Sequence, residues 1–158
     1  MTASPAGRAW RLVAAGFGAG YAPVAAGTVA SAVAVVVGAG LLAVSPWLVA
    51  LAAVLASAGG FVAVERADVR GDPGWVVIDE FAGQWIALLG LARPSVPGLL
   101  AAFVLFRLLD VTKPGPIGWA DRQHGSFGIM ADDILAGTVA ALVLILAGWL
   151  WPGLLLRG

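Results

Sequence analysis

Three uncharged hydrophobic segments constrain the fold of this chain more than any other feature. Residues 29–44, 47–64 and 134–151 contain no Asp, Glu, Lys or Arg, and they approach or reach the roughly 17 to 25 apolar residues that a helix needs to cross a bilayer. The chain of 158 residues is 61% hydrophobic and only 11% charged, which exceeds what the core of a water-soluble domain requires. The sequence therefore predicts an all-α, polytopic membrane protein.

Two further segments are apolar enough to be helical but carry ionisable residues. They cover residues 75–91 and 98–109, and the breaks between the segments are rich in Gly, Pro and other turn residues. The longest break covers residues 113–133. We therefore predict one membrane-embedded domain over residues 1–158, a bundle of about five hydrophobic helices with a long loop between the fourth and the fifth. The sequence carries no signal for an oligomeric state.

The distribution of charge predicts which helix ends face the cytoplasm. Basic residues concentrate on the cytoplasmic side of membrane proteins, and with five spans a cytoplasmic N-terminus leaves only Arg93 and Arg157 outside. The basic residues on the inside are then Arg8, Arg11, Arg66, Arg70, Lys113 and Arg122. All nine acidic residues lie at or near the same face. If either charged segment does not cross the membrane, the orientation of the C-terminal end reverses.

Composition excludes several classes of function. The formal net charge is zero and no basic arm is present, so a nucleic-acid partner is not expected. The absence of cysteine excludes disulfides, thiolate metal sites and cysteine-nucleophile phosphatases. The Gly-rich stretch GFGAGYAPVAAGT lacks a Walker lysine, and we interpret it as a loop and a close-packed helix start with Thr28 as the cap. His124, the single histidine, is either an acid, base or nucleophile near a site or an interfacial polar residue.

Asp79 and Glu80 interrupt an otherwise apolar run, GWVVIDEFAGQW. A carboxylate at membrane depth is costly and normally pairs, binds an ion or lines a polar cavity. Consecutive helical side chains point about 100° apart, so we expect at most one of the two to be a direct metal ligand. Gly83, on the same face as Asp79, would allow a neighbouring backbone to approach closely. The alternative is a salt bridge between helices that only stabilises the bundle.

Arg107 and Asp110 share one helix face because they are three residues apart. They could simply pair with each other. The continuation of the sequence brings Lys113, Asp121 and Arg122 into a loop stiffened by Pro and Gly, and such a loop can hold cations around an anion. Asp121 and Arg122 could equally form a solvated interfacial pair.

Asp132 and Asp133 precede the last apolar segment, where either could cap the helix N-terminus. Capping accounts for one acid and leaves the other unexplained. Several carboxylates without a thiol or imidazole cluster match a hard cation, Mg²⁺ in particular, which also accepts phosphate oxygens. Arginine and lysine beside such a site suit phosphate recognition. The combination predicts phosphoryl chemistry on a lipid at the cytoplasmic face of a membrane.

Three stretches carry a family resemblance. They read GFGAGYAPVAAGTVAS, DPGWVVIDEFAGQWIAL and FRLLDVTKPGPIGWADRQHGSFGIMADDILAG, and with them the chain resembles the phosphatidylglycerophosphatase A family over residues 16–149. The resemblance implies a bacterial inner-membrane enzyme that uses Mg²⁺ to hydrolyse phosphatidylglycerophosphate to phosphatidylglycerol and phosphate in phospholipid biosynthesis. Its substrate is a phospholipid in the bilayer. Ala26 and Ala30 replace a proline and a glycine of the family's usual pattern, and Ser126 replaces a glycine.

The resemblance also implies roles for individual residues. Asp79 and Glu80 match the acidic pair of the central motif, and Asp132 and Asp133 match the paired acids after GIM. The expected metal ligands and catalytic acids are Asp79, Glu80, Asp110, Asp132 and Asp133. Arg107, Asp110 and Lys113 match the family's FR..D..KP motif. Beyond these matches, our own hypothesis expects contacts to the substrate phosphate from Arg107, Lys113, Arg122 and Thr28.

Two alternatives to this reading stay open. The chain could be a phosphatase of the same design that acts on another lipid phosphate such as phosphatidic acid. No residue pattern in the sequence identifies the lipid head group that the site would recognise. It could also be a non-enzymatic membrane protein whose ionisable residues form structural ion pairs or an ion pathway. A pathway would distribute those residues through the depth of the membrane, whereas the sequence gathers them at one end.

Overall fold

A computed structural model of the protein describes residues 5–69, 71 and 73–151, and all regular secondary structure in these ranges is helical. The described residues do not include Arg70, Asp72 and Arg157, which were counted in the charge distribution above. The elements in chain order are α1 (Pro5–Ala14), a 3-10 helix (Gly16–Tyr21), α2 (Ala26–Val44), α3 (Pro46–Arg66), α4 (Ile78–Leu88), α5 (Val96–Thr112), α6 (Pro116–Asp121) and α7 (Gly125–Leu150).

Three of these helices, α2, α3 and α7, are long and apolar enough to cross a membrane. Their outer faces carry large exposed hydrophobic side chains, among them Val36 and Trp47, as expected for surfaces in contact with lipid. The predicted segment 75–91 forms α4, whose 11 residues rise only about 16 Å, roughly half of a hydrocarbon core. The prediction of an all-α membrane protein is therefore confirmed at the level of three candidate spans.

Helix α4 lies at the centre of the bundle and packs against α7, α3 and α2. It approaches α7 so closely that their backbones touch. A Cβ atom built on Gly137 would collide with the carbonyl oxygen of Gly83, and one built on Gly83 would lie 2.5 Å from the carbonyl oxygen of Asp133. The prediction that Gly83 permits close backbone approach is confirmed.

The prediction of a loop over residues 113–133 is wrong for most of that segment. The segment contains α6 and the first nine residues of α7, which begins at Gly125 with His124 as its N-cap. Asp132 and Asp133 consequently lie inside α7, and neither is an N-cap. The start of α7 packs against α6, so this part of the helix is stabilised by protein contacts and does not need the uniform apolarity of a lipid-facing span.

Helix α2 also begins before the residue we predicted as its cap. It starts at Ala26, and its N-cap is Ala25 in a left-handed conformation with φ 49°. Thr28 lies in the first turn and is exposed. At the opposite end of the bundle the caps are conventional, because Ser45 accepts a hydrogen bond from the amide of Trp47 at 3.2 Å and Ser95 from that of Gly98 at 3.1 Å.

Contacts between distant residues define one end of the bundle, which we call the polar end. Gly27 at the start of α2 lies against Glu80 at the start of α4. The Ser126 hydroxyl of α7 donates to the carboxylate of Glu65, near the end of α3, at 3.0 Å. The opposite end is apolar, with Leu42, Val49, Leu88, Leu91 and Leu144 packed together. The sequence prediction that acids gather at one end agrees with this arrangement.

Candidate active site

A cavity of about 360 Å³ opens at the polar end, between the start of α2, the start of α4, the end of α5 and the first turns of α7. Its lining includes two cationic side chains, Arg107 and Lys113. It also includes the five predicted catalytic and metal-binding acids, Asp79, Glu80, Asp110, Asp132 and Asp133. Four helices from separate regions of the sequence thus converge on one polar chamber.

Asp79 and Glu80 occupy the first turn of α4, where the exposed amides and the helix dipole favour negative charge. Asp79 Oδ1 accepts a hydrogen bond from the backbone amide of Glu80 at 3.0 Å. The Asp79 side chain is buried, and Glu80 is partly buried. The same helix start therefore provides two adjacent carboxylates at the cavity wall.

Five acids form two groups that share one member. Asp79, Glu80 and Asp133 each offer a carboxylate oxygen within 4.8 Å of the others, and so do Asp110, Asp132 and Asp133. Asp133 therefore lies between the carboxylates of Asp79 and Glu80 on α4 and those of Asp110 on α5 and Asp132 on α7. The expectation that at most one of Asp79 and Glu80 is a direct ligand stays a prediction, although both carboxylates can reach the same place. The longer reach of the glutamate offsets the angle between the two consecutive positions.

Arg107 lies among these acids. Its Nη1 is 2.5 Å from Asp110 Oδ2 and 3.9 Å from Glu80 Oε1. The predicted pairing of Arg107 with Asp110 is present, but Nη1 is not aligned for a hydrogen bond with any described residue. The guanidinium is thus held among the acids by charge and lines the cavity.

Lys113 has two acidic partners. Its ammonium donates to Asp132 Oδ2 at 2.8 Å and to Asp121 Oδ1. Partial burial lowers the pKa of Lys113, but the hydrogen bonds to Asp121 and Asp132 outweigh that effect and leave the pKa above its ordinary value. The residue is the C-cap of α5 in a left-handed conformation, φ 47°, which is uncommon outside glycine and is often found at functional sites. The ammonium therefore stays charged beside the cavity.

The acid groups are suited to a metal ion. Asp132 and Asp133 are 5% and 3% exposed, and Glu80 Oε2 and Asp132 Oδ1 are buried with no hydrogen-bond partner among the described residues. Carboxylates crowded together at low dielectric are unfavourable unless a cation compensates them. Two cationic side chains face five acids here, and oxygen-only ligands are typical of Mg²⁺ and Ca²⁺. The residues present fit a hard divalent cation.

Three predicted polar residues lie away from this chamber. Thr28 follows Gly27 but is exposed, and Arg122 is an exposed residue at the C-terminal end of α6. Neither is among the residues that line the cavity. His124 lines a separate polar cavity of about 210 Å³ together with Asp121 and Gln123.

The sequence interpretation missed Gln84. This side chain is fully buried, and neither its amide nitrogen nor its amide oxygen has a hydrogen-bond partner in the described part of the chain. It lies one helical turn after Glu80 and on the same face. An amide within the apolar run FAGQWIAL was the available signal, because a buried polar group in such a run requires an explanation.

Comparison with known proteins gives a consistent result. The family described as Phosphatidylglycerophosphatase A matches residues 12–148. The chain is 41% identical over 148 residues to phosphatidylglycerophosphatase A of Escherichia coli strain K12, which covers 90% of this chain and 86% of the relative. It is 45% identical over 73 residues to phosphatidylglycerophosphatase A of Haemophilus influenzae, covering 46% and 45% of the two chains.

A third relative has a different name. The chain is 33% identical over 152 residues to a putative phosphatidylinositol-3-phosphatase of Bacteroides thetaiotaomicron, covering 87% of this chain and 92% of the relative. No solved structure matches the chain. The match over residues 12–148 includes every acid and both cations of the cavity, and the chain belongs to the phosphatidylglycerophosphatase A family.

Proposed function

We propose that this protein is a Mg²⁺-dependent phosphatidylglycerophosphatase that hydrolyses phosphatidylglycerophosphate to phosphatidylglycerol and phosphate in phospholipid biosynthesis. The observation that carries the proposal is the meeting of five carboxylates, Arg107 and Lys113 in one cavity at the polar end of a membrane bundle. A site that must hold both a divalent cation and a phosphate needs this combination of charges. Membership of the family supports the choice of substrate.

The metal ligands in this proposal are drawn from Asp79, Glu80, Asp110, Asp132 and Asp133. Their two groups share Asp133, which makes that residue the central ligand. When bound, Mg²⁺ supplies positive charge to the phosphoryl oxygens and increases the acidity of water at the site.

The chain's own cations orient the phosphate. Arg107 lines the cavity beside Glu80 and Asp110, and a guanidinium binds phosphate oxygens with defined geometry. Lys113 is fixed by Asp121 and Asp132, so its charge is already in place when the substrate arrives. Both residues stabilise the charge that develops on the phosphoryl oxygens in the transition state. Thr28 and Arg122 have a lesser role in the proposal, because both are exposed and outside the cavity lining.

Water is the nucleophile in this mechanism. A covalent route through Asp110 is less favoured, because the sequence DVT that begins at this residue lacks the second aspartate of phosphatases with a DxDx[TV] motif. A cavity carboxylate can accept the proton of the attacking water, since carboxylates within hydrogen-bond reach of the nucleophile act as general bases.

We also propose that the protein is a multi-pass component of the bacterial inner membrane with the polar end in the cytoplasm. Arg8, Arg11, Arg66 and Lys113 all lie on elements that meet at or near this end. Basic residues on the cytoplasmic side are the usual determinant of orientation.

The identity of the substrate is tested by measuring phosphate release from purified protein with a panel of lipid phosphates. We expect phosphatidylglycerophosphate to give the highest kcat/KM. The name of the Bacteroides thetaiotaomicron relative favours a second candidate, a phosphatase that acts on a phosphoinositide, so that lipid belongs in the panel beside phosphatidic acid. Release from none of them would favour the non-enzymatic reading, in which the acids and cations form structural ion pairs.

Metal removal should abolish activity. With excess EDTA we expect phosphate release to fall to background, because the site would lose the ion that compensates its crowded carboxylates. Addition of Mg²⁺ above the chelator concentration should restore release, whereas addition of Na⁺ at matched ionic strength should not. Full activity in EDTA would contradict the metal component of the mechanism.

Gly27→Ala should impair the site without disrupting the bundle. A Cβ atom at this position would collide with Glu80 Oε1 and lie 3.4 Å from Arg107 Nη1. Displacement of a catalytic carboxylate by about 1 Å can reduce the rate on the order of 100-fold, and we expect that loss in kcat/KM. Gly40→Ala is the matched control on the same helix, because its Cβ would meet nothing within 4 Å. Equal activity of the two variants would contradict the proposed position of Glu80.

A further inference from the structure

An apolar cleft of about 640 Å³ opens between α2 and α3, on a different face of α4 from the acidic cavity. Its walls include Val33 and Val37 of α2 and Leu55 and Gly59 of α3. The volume is within the range of about 300 to 1,000 Å³ that is typical of small-molecule sites. The site described above makes no use of this cleft.

Helix α4 provides a rigid, apolar floor for the cleft. Ile78, Phe81 and Trp85 line it, and the rings of Phe81 and Trp85 pack edge to face with centroids 5.5 Å apart. The indole nitrogen of Trp85 donates to the carbonyl oxygen of Ala34 at 2.9 Å. This bond satisfies the polar atom of the ring and leaves a hydrocarbon surface toward the cleft.

The depth of the cleft matches one leaflet of a bilayer. Both α2 and α3 are candidate membrane spans, so the walls lie in the hydrocarbon region. Along α3 the lining runs from Gly60 to Ala52, a rise of about 12 Å along the helix axis. Half of a hydrocarbon core is about 15 Å. An occupant of this space must be apolar and elongated.

The mouth of the cleft is beside the active site. Gly16 and Phe17 of the 3-10 helix line it, and a Cβ atom on Gly16 would lie 2.7 Å from Phe81 and 3.0 Å from Val77. One residue before Val77, Val76 lines the acidic cavity, and one residue after it, Ile78 lines the cleft. A three-residue segment therefore separates the apolar space from the proposed phosphate site.

A cationic side chain also lies near this end of the cleft. The guanidinium of Arg11 stacks over the ring of Trp75 at 4.7 Å, and Val13, two residues later on α1, lines the cleft. Arg11 is exposed. Its positive charge complements an anionic head group whose chains extend into the bilayer.

We propose that the cleft between α2 and α3 binds one acyl chain of the phosphorylated lipid substrate. This inference rests on the proposed function, since it assigns the chain of that same substrate. A chain bound in the cleft fixes the lipid at the depth where its phosphate reaches the neighbouring cavity. Binding energy from this remote part of the substrate then contributes to positioning at the reacting phosphorus.

The test fills the cleft from the α3 side. A Cβ atom on Gly59 would meet nothing within 4 Å, so Gly59→Leu places a side chain in open space and is expected to fold. Gly40→Leu is the matched control, because position 40 is equally open but is not in the lining of the cleft. Gly59→Ala provides a smaller change at the same position. Thermal unfolding in detergent verifies that each variant is folded.

The kinetic comparison uses phosphatidylglycerophosphate with long acyl chains and its water-soluble dihexanoyl form. Wild-type protein should prefer the long-chain lipid. Gly59→Leu should lower kcat/KM for that lipid about tenfold, mainly through KM, because a lost hydrophobic subsite weakens binding on this scale. The same variant should leave the dihexanoyl lipid unaffected, Gly59→Ala should have a smaller effect, and Gly40→Leu should match the wild type on both lipids.

The outcomes separate this inference from the function on which it rests. Wild-type protein that releases phosphate, together with an unchanged chain-length preference in Gly59→Leu, would contradict the acyl site alone. An equal loss on both lipids would contradict it too. Loss of co-purified lipid in Gly59→Leu without any kinetic change would assign the cleft to bulk lipid and overturn the proposal. No release by the wild type from either lipid would contradict the proposed function and, with it, the inference.

Discussion

Asp133→Asn should abolish phosphate release while the helical bundle stays folded. Asp133 is the one acid among the described residues that belongs to both possible metal-binding groups, so its loss would weaken each of them. We expect kcat to fall by about 1,000-fold or more, which corresponds to about 4 kcal/mol of lost transition-state stabilisation. The measurement is release of inorganic phosphate at saturating Mg²⁺.

Stability provides the second readout for this variant. Asp133 is 3% exposed and lies beside four other carboxylates, so in the metal-free protein the neutral amide should leave the unfolding temperature equal or higher. Glu65→Gln is the control, because Glu65 is an exposed acid at the polar end that accepts a hydrogen bond from Ser126 outside the cavity lining. It should retain wild-type activity. Substantial activity in Asp133→Asn would contradict the central position assigned to this carboxylate.

Gly137→Leu should both destabilise the bundle and inactivate the site. Position 137 packs directly on the backbone of Gly83, so a leucine would force α7 away from α4. Overpacking of this kind typically costs about 1–3 kcal/mol, and more where backbone cannot move aside. Because α4 carries Asp79 and Glu80 while α7 carries Asp132 and Asp133, separation of the helices would also divide the acid groups. We expect a reduced unfolding temperature and a loss of activity of about 100-fold.

Gly148→Leu is the matched control for this crossing. It introduces the same side chain on the same helix, at a position where a Cβ would meet nothing within 4 Å. Its unfolding temperature and its activity should stay close to those of the wild type. If Gly137→Leu behaved like this control, the close contact between α4 and α7 would not be what assembles the site.

The residues of the candidate site could be chosen from the sequence because a charged side chain inside an apolar segment is energetically unfavourable. Only 11% of the residues are charged, and each acid inside an apolar run requires a partner or an ion. That reasoning selected Asp79 and Glu80 directly and drew attention to Asp132 and Asp133, of which helix capping could explain only one, and the family resemblance then implied roles for both pairs. It did not select Gln84, a buried amide that is not in the cavity lining, because one neutral amide in an apolar run is too weak a signal by itself.

The incorrect predictions of a loop over residues 113–133 and of an aspartate cap on the last helix have a physical cause as well. Apolarity marks the part of a helix that faces lipid, whereas a helical segment covered by protein can have mixed composition. The stretch 125–133 belongs to the second class, since it packs against α6. It was therefore predicted as part of a loop, with Asp132 or Asp133 as a candidate N-cap, whereas the N-cap position of α7 is His124.

The sequence by itself determined that this chain is an all-helical membrane protein of the phosphatidylglycerophosphatase A family with its acids gathered at one end, because composition and ordered motifs are local properties of the chain. The tertiary structure alone decided how those acids meet. The closeness of α4 and α7 at Gly83 and Gly137 brings Asp133 into two groups at once, and the packing of α2, α3 and α4 leaves an apolar cleft beside them. Distances between helices depend on contacts between residues far apart in sequence, and no local pattern encodes them.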